Sequence, residues 1–298
     1  MKFVTAAHKE HVFVGMLIDD RIIDLRKGEE QLFNTSELPS SMVELIERYE
    51  TLSGKLAAIH KWGQEAPKAE GIHALEEIKW LAPIPRPRKN VFCVGKNYAD
   101  HAIELGGKDD IPTHLMLFSK APTTVVGHEE IVLHHQDVTK ELDYEGELAV
   151  IIGKKCKNIK EEEAMDYVFG YTLINDVTAR DLQERHKQFL LGKSLDTSCP
   201  MGPVIVHKSV IKNPGTLEIE TKVNGEVRQK GNTEQFIFPI ETIIATIAKG
   251  TTLEPGDIIA TGTPAGVGKG FNPPRFLKPG DVVEITVEKI GTLRNTVK

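Results

Sequence analysis

Residues 142–154 read LDYEGELAVIIGK. From Leu148 to Ile152 the run is apolar without interruption, which marks a strand buried on both faces. At its mouth stand Glu145 and Glu147. Side chains alternate along a strand, so these two carboxylates point to the same side, about two strand rises apart. Burying them ionised costs several kcal/mol each unless a cation or hydrogen bonds offset it.

The next apolar run, FGYTLIND, ends on Asp176, where a strand gives way to the helical stretch TARDLQERHK. Three hard oxygen ligands without a supporting histidine or cysteine favour Mg²⁺ or Mn²⁺ over zinc. Each acid also has a bland reading. E-x-E is common on exposed strands, and an aspartate before a helix is commonly its N-cap. The apolar context shared by all three favours a joint site.

Upstream, GKNYADHAIELGG (95–107) reads as a short helix between glycines. His101 and Glu104 are three apart and share one helical face. A carboxylate beside an imidazole orients it and raises its basicity, which suits a histidine taking a proton from water. Flanking glycines would let the segment open and close as a lid. An exposed ion pair worth a few tenths of a kcal/mol is the competing reading.

The N-terminal part offers short strands, KFVTA, HVFVGMLID and RIIDL, then a helix from about Ser41 to Trp62 with Ser40 or Ser41 as its cap. Prolines 83, 85 and 87 in LAPIPRPRKN hold the backbone extended. This predicts a small N-terminal α+β domain over 1–82, a linker over 83–89 and a larger domain over 90–298. Beyond the linker, VNGEVRQ signals a hairpin at Asn224–Gly225. LEPGDIIATG and LKPGDVVEITV each feed a β-branched strand from a Pro-Gly turn, which suits a barrel or sandwich. Helices are expected at Thr178–Gln188 and Pro239–Lys249. The fold class is mostly β with a few helices, without the βαβα rhythm of a nucleotide-binding sheet.

Across 298 residues the net charge is −6 and hydrophobic residues make up 40%. There is no basic cluster, so neither a nucleic-acid groove nor an anionic membrane surface is expected as partner. No apolar run approaches the roughly 20 residues that span a bilayer, and the start lacks the core of a signal peptide. Cys93, Cys156 and Cys199 form no C-x-x-C pair, which fits a reducing cytoplasm.

Six phrases, GKNYADHAIELG, LDYEGELAVIIG, NDVTARDLQ, GKSLDTSCPMGP, VNGEVRQ and GDIIATGTPAGVG, stand in the order seen in fumarylacetoacetate hydrolase family proteins. The chain resembles the bacterial branch with a small N-terminal domain, whose relatives include oxaloacetate decarboxylases and acylpyruvate hydrolases. The resemblance implies a distorted β-barrel or β-roll catalytic fold and a homodimer. It implies Glu145, Glu147 and Asp176 as metal ligands, and His101 with Glu104 as the lid dyad. It places Gln183, Lys193 and Thr263 against substrate. Lys193 is the leading cation for an anionic 2-oxo acid. Arg180 is a weaker candidate, with pairing to Asp181 or Glu184 as its alternative role.

The implied chemistry is metal-dependent cleavage of a carbon–carbon bond next to a 2-oxo acid, with oxaloacetate decarboxylation first. Acylpyruvate hydrolysis and isomerisation of a 2-oxo diacid share the motifs. A scaffolding role is the alternative of a different class. Other signals fall away. GTPAGVGKG has the wrong glycine spacing for a phosphate loop and no Ser or Thr after Lys269. The GKS at 192–194 lacks the upstream glycine. His134 and His135 face opposite ways on a strand. No G-x-S-x-G motif exists, and Cys199 reads as packing.

Overall fold

The chain opens with antiparallel strands β1 (Lys2–His8), β2 (His11–Ile18) and β3 (Arg21–Asp24). Helices α1 (Leu25–Phe33), α2 (Met42–Glu47) and α3 (Tyr49–Glu65) follow, then β4 (Ile72–Ala74) and β5 (Lys79–Leu81). Past the prolines come β6 (Val91–Gly95), α4 (Ala99–Leu105) and β7 (Met116–Lys120). Three two-residue strands succeed them: β8 (Val125–Val126), β9 (Ile131–Val132) and β10 (Leu142–Asp143). The middle of the chain is β11 (Gly146–Ile152), β12 (Val168–Asn175), β13 (Thr178–Ala179), α5 (Arg180–His186), α6 (Leu190–Lys193) and β14 (Cys199–His207). The remainder holds β15 (Glu218–Val223), β16 (Glu226–Asn232), α7 (Ile240–Ala248), β17 (Ile258–Ala260), β18 (Val282–Val287) and β19 (Gly291–Val297). This computed structural model describes residues 1–298 apart from the side chain of His186.

The main sheet runs β4-β3-β2-β1-β14-β12-β11-β17-β6-β7, with β5 on β1 and β8 on β14. A second sheet runs β16-β15-β18-β19-β9. The architecture is mostly β with few helices, as the sequence reads. The expected barrel is absent: among the described residues neither sheet closes on itself. β1 pairs with β14, so the N-terminal strands prolong the sheet where closure would need that edge free.

Every residue of β11 is buried, and its side chains alternate between two cores. Leu148, Val150 and Ile152 meet the second sheet and α7, while Ala149 and Ile151 share a core with Leu45, Leu56 and Ile59 of the N-terminal helices. A doubly buried strand needs a layer on each side. The N-terminal helices supply one of those layers.

Ser41 caps α2 by accepting the Glu44 N–H at 3.2 Å. The single helix expected over 41–62 is two, because Arg48 leaves the helical region at φ −100° and ψ 5°. Its carbonyl then accepts the Thr51 hydroxyl at 2.8 Å and starts α3. The helix Thr178–Gln188 begins two residues late, since Thr178 and Ala179 pair with β10. Asn224 and Gly225 both have positive φ, 54° and 78°, as a two-residue hairpin turn requires. The proline-rich stretch packs closely: Ala82 and Ile84 are buried, and Thr5 donates to the Pro83 carbonyl at 2.7 Å.

Helix α1 escaped the sequence reading. Asp24 caps it by accepting the Arg26 and Lys27 N–H groups, and it carries a buried acid, Glu29. That carboxylate accepts from Thr35, from the Glu37 and Leu38 N–H groups, and from Lys55. Burial would raise it, but Lys55 and these donors outweigh burial and hold it below the ordinary glutamate range. A depressed carboxyl stabilises the fold above the unfolded value of about 4.3 and loses that contribution as pH falls through the folded value. Glu29→Gln should therefore cost about 1–3 kcal/mol at neutral pH. In urea unfolding at stepped pH, the gap to the wild type should close below about pH 4; a gap independent of pH would contradict this.

Candidate metal and substrate site

Glu145 precedes β11, Glu147 lies within it, and Asp176 follows β12. The β11–β12 register sets Gly146 against Asn175, so the three acids meet at one end of the pair. One oxygen from each lies within 4.8 Å of the others, and all three residues are buried. Backbone bonds lock them together. The Asp176 N–H donates to the Glu145 carbonyl at 2.8 Å, and the Asn175 side-chain oxygen accepts the Glu145 N–H at 3.0 Å.

Three buried cations surround the acids. Lys193 Nζ donates to Glu145 at 2.7 Å and to Asp176 at 2.8 Å. Lys120 Nζ donates to the other Asp176 oxygen at 2.7 Å. Arg180 binds Asp143 through Nε at 2.9 Å and Glu145 through a terminal nitrogen at 2.7 Å. Burial alone would raise the Glu145 carboxyl, but Lys193 and Arg180 outweigh it and hold it well below the usual range. Glu147 receives only the Gly262 N–H, at 2.7 Å, and pairs with no side-chain cation among the described residues. Burial, then Asp176 and Glu145, push it well above the usual range. A hard donor set of three converging oxygens, one of them lacking a cation, fits a divalent ion such as Mg²⁺ or Mn²⁺.

Helix α4 lies inside the segment that the sequence reading takes as a lid. His101 Nδ1 and Glu104 are 2.8 Å apart, and His101 is 4% exposed. An exposed ion pair is thereby excluded. Glu104 in turn accepts the Gly266 N–H at 2.9 Å. Gly266 has φ 106°, and a Cβ there would lie 2.0 Å from the Arg228 carbonyl oxygen, so glycine is required. Gly262, at φ 102°, is similarly constrained by Asn97. The glycine-rich stretch that is not a phosphate loop thus supplies four N–H groups to three carboxylates: Gly262 to Glu147, Gly266 to Glu104, and Gly268 and Lys269 to Asp143.

His101, Glu145, Glu147, Arg180, Gln183, Lys193 and Thr263 line one small pocket, with Phe118 and Phe189 on its apolar side. Asp176 and Glu104 stand directly behind. Thr263 is occupied structurally: its hydroxyl donates to the Gly146 carbonyl at 2.9 Å and accepts from Gln229 at 2.7 Å. Arg180 does not pair with Asp181 or Glu184 as the sequence suggested. It opens α5 buried among the site acids, while Asp181 accepts from Thr139. One terminal nitrogen of Arg180 is buried without a partner among the described residues.

Sequence reasoning missed Lys120 and Asp143. Asp143 shares the odd parity of Glu145 and Glu147, so D-x-E-x-E was available as a signal. Its oxygens accept from Gly268, Lys269, Tyr144 and Arg180, which leaves it an anchor rather than a ligand. Lys120 carries no such signal. Cys199 is inert packing, since burial pushes its thiol up to about 12.

Comparison with known proteins agrees with this geometry. Residues 90–298 match the pattern described as fumarylacetoacetate (FAA) hydrolase C-terminal. The chain is 54% identical to "Oxaloacetate tautomerase YisK" of Bacillus subtilis, over 100% of both chains. It resembles the structure of a fumarylacetoacetate hydrolase from Exiguobacterium antarcticum at TM-score 0.80 and 39% identity, covering 100% of this chain and 99% of that one. Maleylpyruvate hydrolase from Sphingobium sp. SYK-6, in complex with manganese(II) and pyruvate, matches at TM-score 0.76 and 29% identity, covering 100% and 98%. The buried acids, the His101–Glu104 pair and these full-length similarities lead to one conclusion: the chain belongs to the fumarylacetoacetate hydrolase family.

Proposed function

We propose that the protein holds one Mg²⁺ or Mn²⁺ through Glu145, Glu147 and Asp176 and turns over oxaloacetate or a closely related small 2-oxo diacid. The observation that carries this reading is the opening of two of the three clustered acids, Glu145 and Glu147, onto the same small pocket that Arg180, Gln183 and Lys193 line. The name of the 54%-identical relative supports oxaloacetate, and the manganese and pyruvate in the maleylpyruvate hydrolase complex support the ion and the 2-oxo acid. Charge agrees. Four buried carboxylates, Asp143, Glu145, Glu147 and Asp176, face three buried cations, Lys120, Arg180 and Lys193, a balance of −4 + 3 = −1. A divalent ion turns this to +1, which favours an anionic substrate.

When bound, the ion acts as a Lewis acid that polarises the substrate ketone and acidifies the neighbouring carbon. The chain's own groups do the rest. The unpartnered Arg180 nitrogen binds a substrate carboxylate, with Gln183 and Lys193 beside it. Glu104 holds His101 through Nδ1, which leaves Nε2 for proton transfer. In keto–enol exchange, a proton leaves C3 and another reaches the C2 oxygen. In decarboxylation the C3–C4 bond breaks, carbon dioxide departs and C3 takes up the proton. His101 serves either course. Phe118, Phe189 and the lid helix keep bulk water from the pocket.

The His101–Glu104 dyad also favours a second reading, acylpyruvate hydrolysis, in which His101 takes a proton from water attacking C4. A homodimer and a cytoplasmic location belong to the same proposal; the three free, buried cysteines suit a reducing compartment.

Purified protein should accelerate loss of the oxaloacetate enol absorbance, or pyruvate release, above the metal-only background, and EDTA should abolish the effect. His101→Asn should slow turnover by roughly 10²–10⁴-fold while Mn²⁺ affinity stays unchanged. Faster metal-dependent turnover of acetylpyruvate than of oxaloacetate would replace this reading with the acylpyruvase one.

A further inference from the structure

A second cavity, of ≈ 680 Å³, opens between the Asn224–Gly225 turn, the segment after β9 and the loop 274–281. It shares no lining residue with the acid site. Its size falls in the range of small-molecule sites. Two of its lining residues each carry a buried polar atom without a partner among the described residues, His134 Nδ1 and Arg228 Nε. His134 is 8% exposed and the Arg228 side chain 9%.

The chemistry of these two atoms specifies a ligand. His134 Nε2 lies 3.0 Å from the Leu277 carbonyl oxygen. A carbonyl only accepts, so Nε2 carries the ring proton and Nδ1 of the neutral ring is an acceptor. Arg228 Nε can only donate. A ligand satisfying both must offer an acceptor oxygen and a hydroxyl. The surrounding charge is mostly positive. Lys140 and Lys278 pair with no carboxylate among the described residues, and Arg275 stands beside them. Of the nearby acids, Asp281 is tied to the Asn224 side chain and the Lys278 N–H. Glu226 is clasped by Arg275 at 2.7 Å and Arg228 at 3.2 Å.

We propose that this cavity binds a protonated oxyanion, either inorganic phosphate or a small phosphomonoester. Arg228 donates to an oxygen, His134 accepts from the P–O–H group, and the lysines balance the charge. Sulfate, which has no proton to give near neutral pH, lacks the second contact.

Calorimetric titration of the metal-loaded protein at about pH 7.5, where an ordinary imidazole is neutral and inorganic phosphate still carries a proton, tests this at fixed ionic strength. Inorganic phosphate should bind saturably and sulfate about tenfold more weakly or worse. A parallel titration with glycerol 3-phosphate separates the sources: tighter binding than phosphate assigns the site to a phosphorylated metabolite, weaker binding to the free ion. Arg228→Gln should weaken phosphate about tenfold or more. Lys278→Gln, an exposed change that leaves folding intact, should weaken it roughly threefold. No saturable phosphate binding, equal binding of sulfate, or phosphate binding unchanged in both variants, as for an ion held at the metal centre, would overturn the proposal.

Discussion

Four carboxylates crowded at the buried end of one strand pair cannot all stay ionised unaided. Each would cost several kcal/mol to remove from water, and each repels its neighbours. The structure answers with Lys193 bridging two of them, Lys120 and Arg180 clasping from the sides, and backbone N–H groups of Gly262, Gly268 and Lys269 filling remaining lone pairs. Glu147 is left with a single N–H donor. The demand for one more positive charge is what the proposed divalent ion would meet.

Holding such a cluster requires a rigid frame, and the frame is a sheet covered on both faces. The β11–β12 register fixes the spacing of the acids to a fraction of a strand rise, while the two cores prevent either strand from shifting. The N-terminal strands and helices belong to this frame. β1 prolongs the main sheet through β14, and α2 and α3 cover the face that the second sheet leaves bare. Helix α4 is anchored to this frame at several points: Glu104 accepts the Gly266 N–H, Ala102 is fully buried, and Asn97 just before the helix donates to the Phe238 and Thr261 carbonyls.

Much of this was legible in the sequence. An apolar run after E-x-E announced a doubly buried strand, and period-2 alternation put both acids on one side. Proline, Pro-Gly and Asn-Gly signals located the turns. What escaped had physical reasons. Lys120 sits on a strand far from the acids in sequence, and only the pairing of β6 with β17 and β7 brings it under Asp176. Arg180 has acids one and four residues along, Asp181 and Glu184, that read as partners, but it lies at the helix start, where its side chain meets the cluster instead. Helix α1 contains Gly28 and a charged run, and its stability comes from the Asp24 cap and the buried Glu29 network, neither of which leaves an apolar stripe. The distorted barrel or roll is present as open sheets and not as a closed barrel, because closure depends on which strand takes the last free edge, a matter that no local pattern records.

The most direct measurement is an anomalous difference map from crystals soaked in Mn²⁺. One peak per chain, within about 2.0–2.2 Å of an oxygen from each of Glu145, Glu147 and Asp176, is the predicted result, and the peak should vanish in Glu147→Gln. No peak at the triad, with Lys193 still bridging Glu145 and Asp176 under saturating Mn²⁺, would contradict the account.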